Sequence, residues 1–151
     1  MTGKKLLVYY SRSGKAEIVA KKLQERLGCD MDKLRYADRE DIVSVHSALF
    51  ESLKRTTVQI RGDAHTPNGY DQIILVSPVW KNALSTPIRS YMIKYKGQIA
   101  SYSLVAVSGG ISFDGVLKES EKLLNASPVS KVCYRSSEVA KGTFDIDKFF
   151  N

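Results

Sequence analysis

Lys5-Leu6-Leu7-Val8-Tyr9-Tyr10-Ser11-Arg12-Ser13-Gly14-Lys15-Ala16 decides how the rest of the chain is read. Lys5 to Tyr10 is a short, nearly continuous apolar run rich in strand-forming residues, as a strand covered on both faces requires. A polar turn follows at once. Beyond it, Ala16, Val19, Ala20, Leu23 and Leu27 recur at helical spacing, and Gly28 stands where a left-handed C-terminal cap belongs. Strand, tight polar loop and amphipathic helix form one half of a βαβ unit.

The same alternation continues outward. Cys29 to Leu34 is a weaker strand, placed there mainly by the alternation itself. Ile42, Val45, Leu49 and Leu53 mark a second helix. Thr56 to Asn68 is polar and turn-rich, ending in Asn68-Gly69. Ile73-Ile74-Leu75-Val76 is the clearest strand, and it runs into a loop, Ser77 to Leu84. Thr86-Pro87 supplies an N-cap and a first-turn proline for a helix with Ile88, Tyr91, Met92 and Tyr95 on its apolar face, stopped by Gly97. Ser103 to Val107 is a fourth strand, ending at Ser108-Gly109-Gly110. Asp114 caps a helix through Leu124, which Ser127-Pro128 terminates, and Val129 to Tyr134 is a fifth strand. Phe144 to Phe150 reads as the stub of a final helix.

Five strands alternating with helices predict an α/β, doubly wound three-layer sandwich around a five-stranded parallel sheet. Two strand orders compete, the dinucleotide-binding one and 2-1-3-4-5. In either, a ligand lies beyond the carboxyl ends of the strands, which places residues 11–16, 77–85 and 108–113 at the site. No repeat, low-complexity tract or linker interrupts the chain, so residues 1–151 read as a single domain.

Composition removes several function classes. The chain has 151 residues, 43% hydrophobic and 26% charged, which is globular rather than disordered. No apolar run is long enough to cross a bilayer and no secretory signal is visible. Cys29 and Cys133 are too few for a disulfide framework, and the expectation is a soluble, reduced, cytoplasmic protein. Lys and Arg number 23 against 16 Asp and Glu, a net charge of +7. The cations are spread along the chain without a like-charge block, so nucleic-acid binding is not expected. His46 and His65 have no metal-ligand neighbours at suitable spacing, and no GxSxG elbow is present.

The three loops carry the chemistry. In Ser11 to Ala16, two hydroxyls, a glycine and the free N–H groups of a helix start suit a phosphate, with Arg12 and Lys15 adding positive charge; the alternative is an ordinary turn capped by Ser13. It is not a Walker A loop, because Tyr9 and Ala16 stand where a glycine and a hydroxyl are needed, and no GxGxxG follows the first strand. Trp80, the only tryptophan, follows the third strand; it either stacks on a planar ligand or covers a sheet edge. Ser108, Gly109 and Gly110 allow close backbone approach, or form a plain turn.

Together these segments resemble the flavodoxin family. Leu6 to Lys15 looks like that family's first strand and FMN phosphate loop, whose pattern is Ser/Thr-x-Ser/Thr-Gly-x-Ser/Thr. Asp71 to Trp80, followed by Leu84-Ser85-Thr86-Pro87-Ile88-Arg89, looks like its third strand, flavin loop and next helix. The resemblance extends over nearly the whole chain. It implies the flavodoxin-like order 2-1-3-4-5 and bound FMN. Ser11, Arg12, Ser13, Gly14, Lys15 and Ala16 would surround the phosphate. Pro78, Val79, Trp80, Lys81 and Asn82 would line the isoalloxazine, with Trp80 stacking, and Ser108, Gly109, Gly110 and Phe113 would cover its other side. Such a protein shuttles electrons to a redox partner, and the flavin rather than a protein acid or base does the chemistry. A small NAD(P)H-dependent FMN or quinone reductase, or an interaction module with weakened flavin binding, are the alternatives. Three departures stand out. The final helix is cut short: residues 141–151 offer barely two turns, so one face of the sheet near the fifth strand is covered thinly or by a second subunit, and a homodimer is one expectation. Ala16 replaces the last hydroxyl of the phosphate loop, a bond worth on the order of 1.5–3 kcal/mol when made to a charged group. The charge of +7 is opposite to that of many electron-carrying flavodoxins, so the partner should differ too.

Overall fold

In the computed structural model, residues 3–37, 57–110 and 113–151 are described. The leading strand, β1 (Lys5–Tyr9), pairs in parallel with β2 (Asp30–Lys33) on one side and β5 (Gln72–Pro78) on the other. Next to β5 come β6 (Tyr102–Ser108) and β7 (Ser130–Arg135), also parallel, so the sheet runs β2-β1-β5-β6-β7. Numbering only these five strands along the chain gives order 2-1-3-4-5, and the dinucleotide-binding order is excluded. Helices α1 (Lys15–Leu27), α2 (Thr86–Lys94), α3 (Asp114–Leu124) and α4 (Ser136–Lys141) are the described helices. The helix expected at Ile42 to Leu53 lies outside the described residues, as does His46.

Alternate residues of each strand feed two separate cores, because successive side chains point to opposite faces. Leu6, Val8, Ile73, Leu75 and Leu104 pack with Ile88, Met92 and Val116 of α2 and α3. Leu7, Tyr9, Ile74, Val76 and Val105 pack with Val19, Ala20 and Leu23 of α1. Ile73 to Val76 are fully buried, and each such side chain contributes about 1.5–3 kcal/mol on leaving water. Gly28 caps α1 in the left-handed conformation, its N–H donating to the Gln24 carbonyl at 2.7 Å.

Several boundaries differ from the sequence expectation, each for a local reason. The N-cap of α2 is Ser85 rather than Thr86, and its hydroxyl is committed to Ser77 instead of the helix N–H groups. Tyr95 is the C-cap of α2, and Gly97 sits in the turn beyond, at φ 95°. Asp114 is the first residue of α3 rather than its cap, a place that favours an acidic side chain at the positive end of the helix dipole. Within the stretch expected as a turn-rich loop, β4 (Ile60–Arg61) pairs antiparallel with β3 (Arg35–Tyr36), a ribbon too short to leave a period-two pattern.

At the C-terminus the expected stub is present as a 3-10 helix (Ile146–Phe150), and it is preceded by α4, which the sequence reading did not place. Val139, Ile146 and Phe149 are buried with Tyr134 in the α1-side core, so this chain covers that face of the sheet itself. Among the described residues no helix is long and apolar enough to cross a membrane.

Candidate functional site

The carboxyl ends of β1, β5 and β6 lie side by side: Tyr9 is level with Val76, and Pro78 with Val107. The three loops leaving them therefore converge at one end of the sheet.

The first loop is shaped around Gly14. Its φ of 97° is in the left-handed region, and it occupies the N-cap of α1, so Ser13 is not the cap. Ser11 Oγ accepts the Gly14 N–H at 3.0 Å, which closes the turn and leaves the Ser11 proton free to donate elsewhere. The first N–H bonded within the helix is that of Ile18, to Gly14 O at 3.1 Å. The N–H groups of Lys15, Ala16 and Glu17 come before it and lack an intrahelical acceptor, as at any helix start. A Cβ placed on Gly14 would meet nothing within 4 Å, so the turn is open on that side. Ser13 is exposed, Arg12 and Lys15 are half-buried, and Ala16 is only 2% exposed. This is a fit for a dianionic phosphate, with one hydroxyl contact fewer at Ala16.

Glu17 would place a negative charge in that first turn. It is turned to Lys33, 2.9 Å away, to the Tyr9 hydroxyl at 2.9 Å and to Lys21 at 3.5 Å. The bond from Lys33 is the largest influence holding its carboxyl below the usual glutamate range. Tyr9 is pushed the other way, first by burial and then by its bond to Glu17.

The second loop is a hairpin. Trp80 and Ala83 exchange both backbone hydrogen bonds, at 2.9 and 3.1 Å, and Val79 bridges to Leu84. Lys81 and Asn82 between them have φ of 53° and 62°, the two successive left-handed residues of a type I′ turn. Ser77 Oγ holds the base, accepting the Ser85 N–H at 3.1 Å and meeting the Ser85 hydroxyl at 2.9 Å. Val79 N–H donates to Val107 O at 2.9 Å, and Asn82 Oδ1 accepts the Gly115 N–H at 3.2 Å. A Cβ on Gly115 would lie 2.3 Å from the Asn82 carbonyl oxygen, so only glycine lets the start of α3 come this close.

Trp80 itself is 5% exposed. Its ring packs edge-on against Tyr10 at 5.8 Å, and Tyr10 in turn against Tyr36 of the ribbon at 5.7 Å. This packing ties the second loop to the first. It also means that stacking on a planar ligand requires the indole to turn out of its present place. Pro78 and Val79 are half-buried, and Lys81 and Asn82 are exposed at the hairpin tip.

In the third loop, the buried Ser108 accepts the Gly110 N–H through its Oγ at 3.2 Å. Gly109 and Gly110 are exposed, and a Cβ on either would touch nothing within 4 Å. Phe113 is half-buried at the N-cap of α3. Open space over two glycines beside the hairpin fits a flat ring edge approaching the backbone.

Sequence reading did not single out the supports behind these loops. Arg89 and Glu119 grip the hairpin from α2 and α3, Gly115 receives Asn82, and Lys33 draws Glu17 away. Arg89 did leave a signal, an arginine next to Ile88 on the apolar side of its helix pattern.

The strand order and the helices on both faces define a flavodoxin-like α/β fold. No protein-family model matches the chain, and no curated protein does. Solved structures do match it in fold. A flavoprotein from Lactobacillus acidophilus NCFM, in complex with FMN, aligns with a TM-score of 0.77 at 22% identity over 93% of this chain and 98% of that one. The apo-form of the flavoprotein from the same organism gives 0.69 at 23% identity, over 95% and 99%. An NADH:FMN oxidoreductase in its apo form gives 0.54 at 13% identity, over 98% and 88%. At these identities the likeness establishes the fold.

Proposed function

We propose that this chain binds FMN across the three loops and carries electrons through it. The observation that carries the reading is the open, donor-rich start of α1 around Gly14, set at the same sheet end as a braced hairpin and an uncluttered Gly109-Gly110 turn. That the Lactobacillus acidophilus flavoprotein of like fold holds FMN adds support.

In this reading Ser11 and Ser13 donate to the phosphate together with the N–H groups of Lys15, Ala16 and Glu17, and Arg12 and Lys15 balance its charge. Pro78, Val79, Trp80, Lys81 and Asn82 flank the isoalloxazine, with the Trp80 ring turned out from Tyr10 onto the flavin. Ser108, Gly109, Gly110 and Phe113 lie along its other side. FMN supplies one- and two-electron chemistry when bound, and the protein orients the ring and limits its exposure. The net charge of +7 suits a redox partner with an acidic docking face, since like charges would slow the encounter. The two free cysteines suit a reducing compartment such as the cytoplasm. A second reading, an NAD(P)H-dependent flavin reductase, draws on the fold likeness to the NADH:FMN oxidoreductase.

The test is titration of flavin-free protein with FMN, followed by flavin fluorescence. Saturable quenching supports the reading, and NAD(P)H consumption by the loaded protein then separates reductase from carrier. Ala16→Ser restores the missing hydroxyl and should tighten FMN about tenfold, the effect of one bond to a charged group. Absence of quenching in both proteins would overturn the reading and leave an interaction module.

A further inference from the structure

Leu84 closes the hairpin, and one buried ion pair takes both of its backbone polar groups. Its N–H donates to Glu119 Oε1 at 2.9 Å, and its carbonyl accepts from Arg89 Nη2 at 2.9 Å. Arg89 Nε donates to Glu119 Oε2 at 2.5 Å, completing a ring of three groups from three segments. Arg89 is 2% exposed and the Glu119 side chain 11%.

A pair this deep is poorly explained by stability. Desolvating an arginine and a carboxylate costs about as much as their attraction returns, and a well-packed apolar pair of similar volume often serves the fold as well or better. An apolar pair could not hold a peptide group. An isolated two-stranded hairpin is marginal in water, so this one relies on outside holds: Ser77 at its base, Asn82 at its tip, and Arg89 with Glu119 at Leu84.

We propose that Arg89 and Glu119 are positioning residues for the flavin loop. By gripping the Leu84 peptide they fix the hairpin between α2 and the start of α3, and so set how well Pro78 to Asn82 receive the flavin. The ligand named here rests on the FMN reading; the hold on the hairpin does not.

The test is the double substitution Arg89→Met with Glu119→Leu, which removes both charges of the grip together. Trp80, the chain's one tryptophan, lies in the hairpin and reports its order in the flavin-free protein. The expected result is an unchanged far-UV circular dichroism spectrum, a lower Tm because the buried Leu84 N–H and carbonyl lose their partners, and Trp80 several-fold more accessible to acrylamide quenching in the folded variant. FMN should bind at least tenfold more weakly. Wild-type quenching and affinity in a folded double variant would overturn the proposal. If the double variant does not fold, Arg89→Lys decides. It keeps a cation opposite Glu119, but a single ammonium cannot reproduce the guanidinium fork between Glu119 and Leu84 O. Intermediate exposure of Trp80 is then expected, and wild-type behaviour overturns the proposal. Failure of the wild-type protein to bind FMN would remove the flavin reading, and the acrylamide comparison would still decide whether the pair positions the hairpin.

Discussion

Glu17 shows how one side chain can belong to the fold and still bear on the site. Its carboxyl is held below the ordinary glutamate range, chiefly by the bond from Lys33, with Tyr9 and Lys21 adding to it. A folded-state value below the unfolded one means that the unfolded chain takes up this proton first as pH falls. The stabilisation is therefore complete above the ordinary glutamate range and is lost as pH drops through the depressed value. Urea unfolding measured from neutral pH down to pH 3 should show stability falling on that limb. Glu17→Gln should flatten it, and an unchanged limb would place the acid sensitivity elsewhere. At this scale the sequence was partly legible. The turn at Ser11 to Gly14 leading into α1 could be read because the residue types it needs are local. The position of the Trp80 ring could not, since it depends on Tyr10 and Tyr36, which meet it only through tertiary packing.

At the scale of elements, the hairpin after β5 depends on Asn82 more than on any other residue of its turn. Asn82 adopts φ of 62°, which asparagine tolerates better than most residues, and its side chain accepts the Gly115 N–H. Asn82→Ala should cost about 1–2 kcal/mol for the left-handed backbone and roughly 1 kcal/mol for the lost bond, read as a lower midpoint in urea with an unchanged slope. The loop at 77–85 was visible in the sequence as a loop, but its hairpin form was not, because Lys81-Asn82 is a weaker type I′ signal than Asn-Gly. Helix α4 was missed for a related reason. It has six residues and buries only Val139, too little to show a helical period. By contrast, α1 was legible to its cap, since four buried positions and Gly28 repeat one message.

Across the whole molecule, the strand order followed from alternation and from the handedness of crossovers, which are properties of many residues at once. The three inner strands β1, β5 and β6 have bonded neighbours on both edges and helices over both faces. Their amides should be the slowest to exchange with deuterium, with rates that track global unfolding, whereas the β3–β4 ribbon and α4 should exchange through local opening. Exchange of Leu7 or Ile74 as fast as that of Ile60 would contradict this. The sheet order has another consequence, in time rather than energy. β1 is made first yet sits inside the sheet, between β2 and β5. On the ribosome, the nascent β1-α1-β2 unit has one side of β1 unpaired until Gln72–Pro78 has emerged. A chain stalled before residue 72 leaves the Leu6 to Tyr9 edge without its β5 partner, an unpaired strand edge of the kind that chaperones and other chains bind.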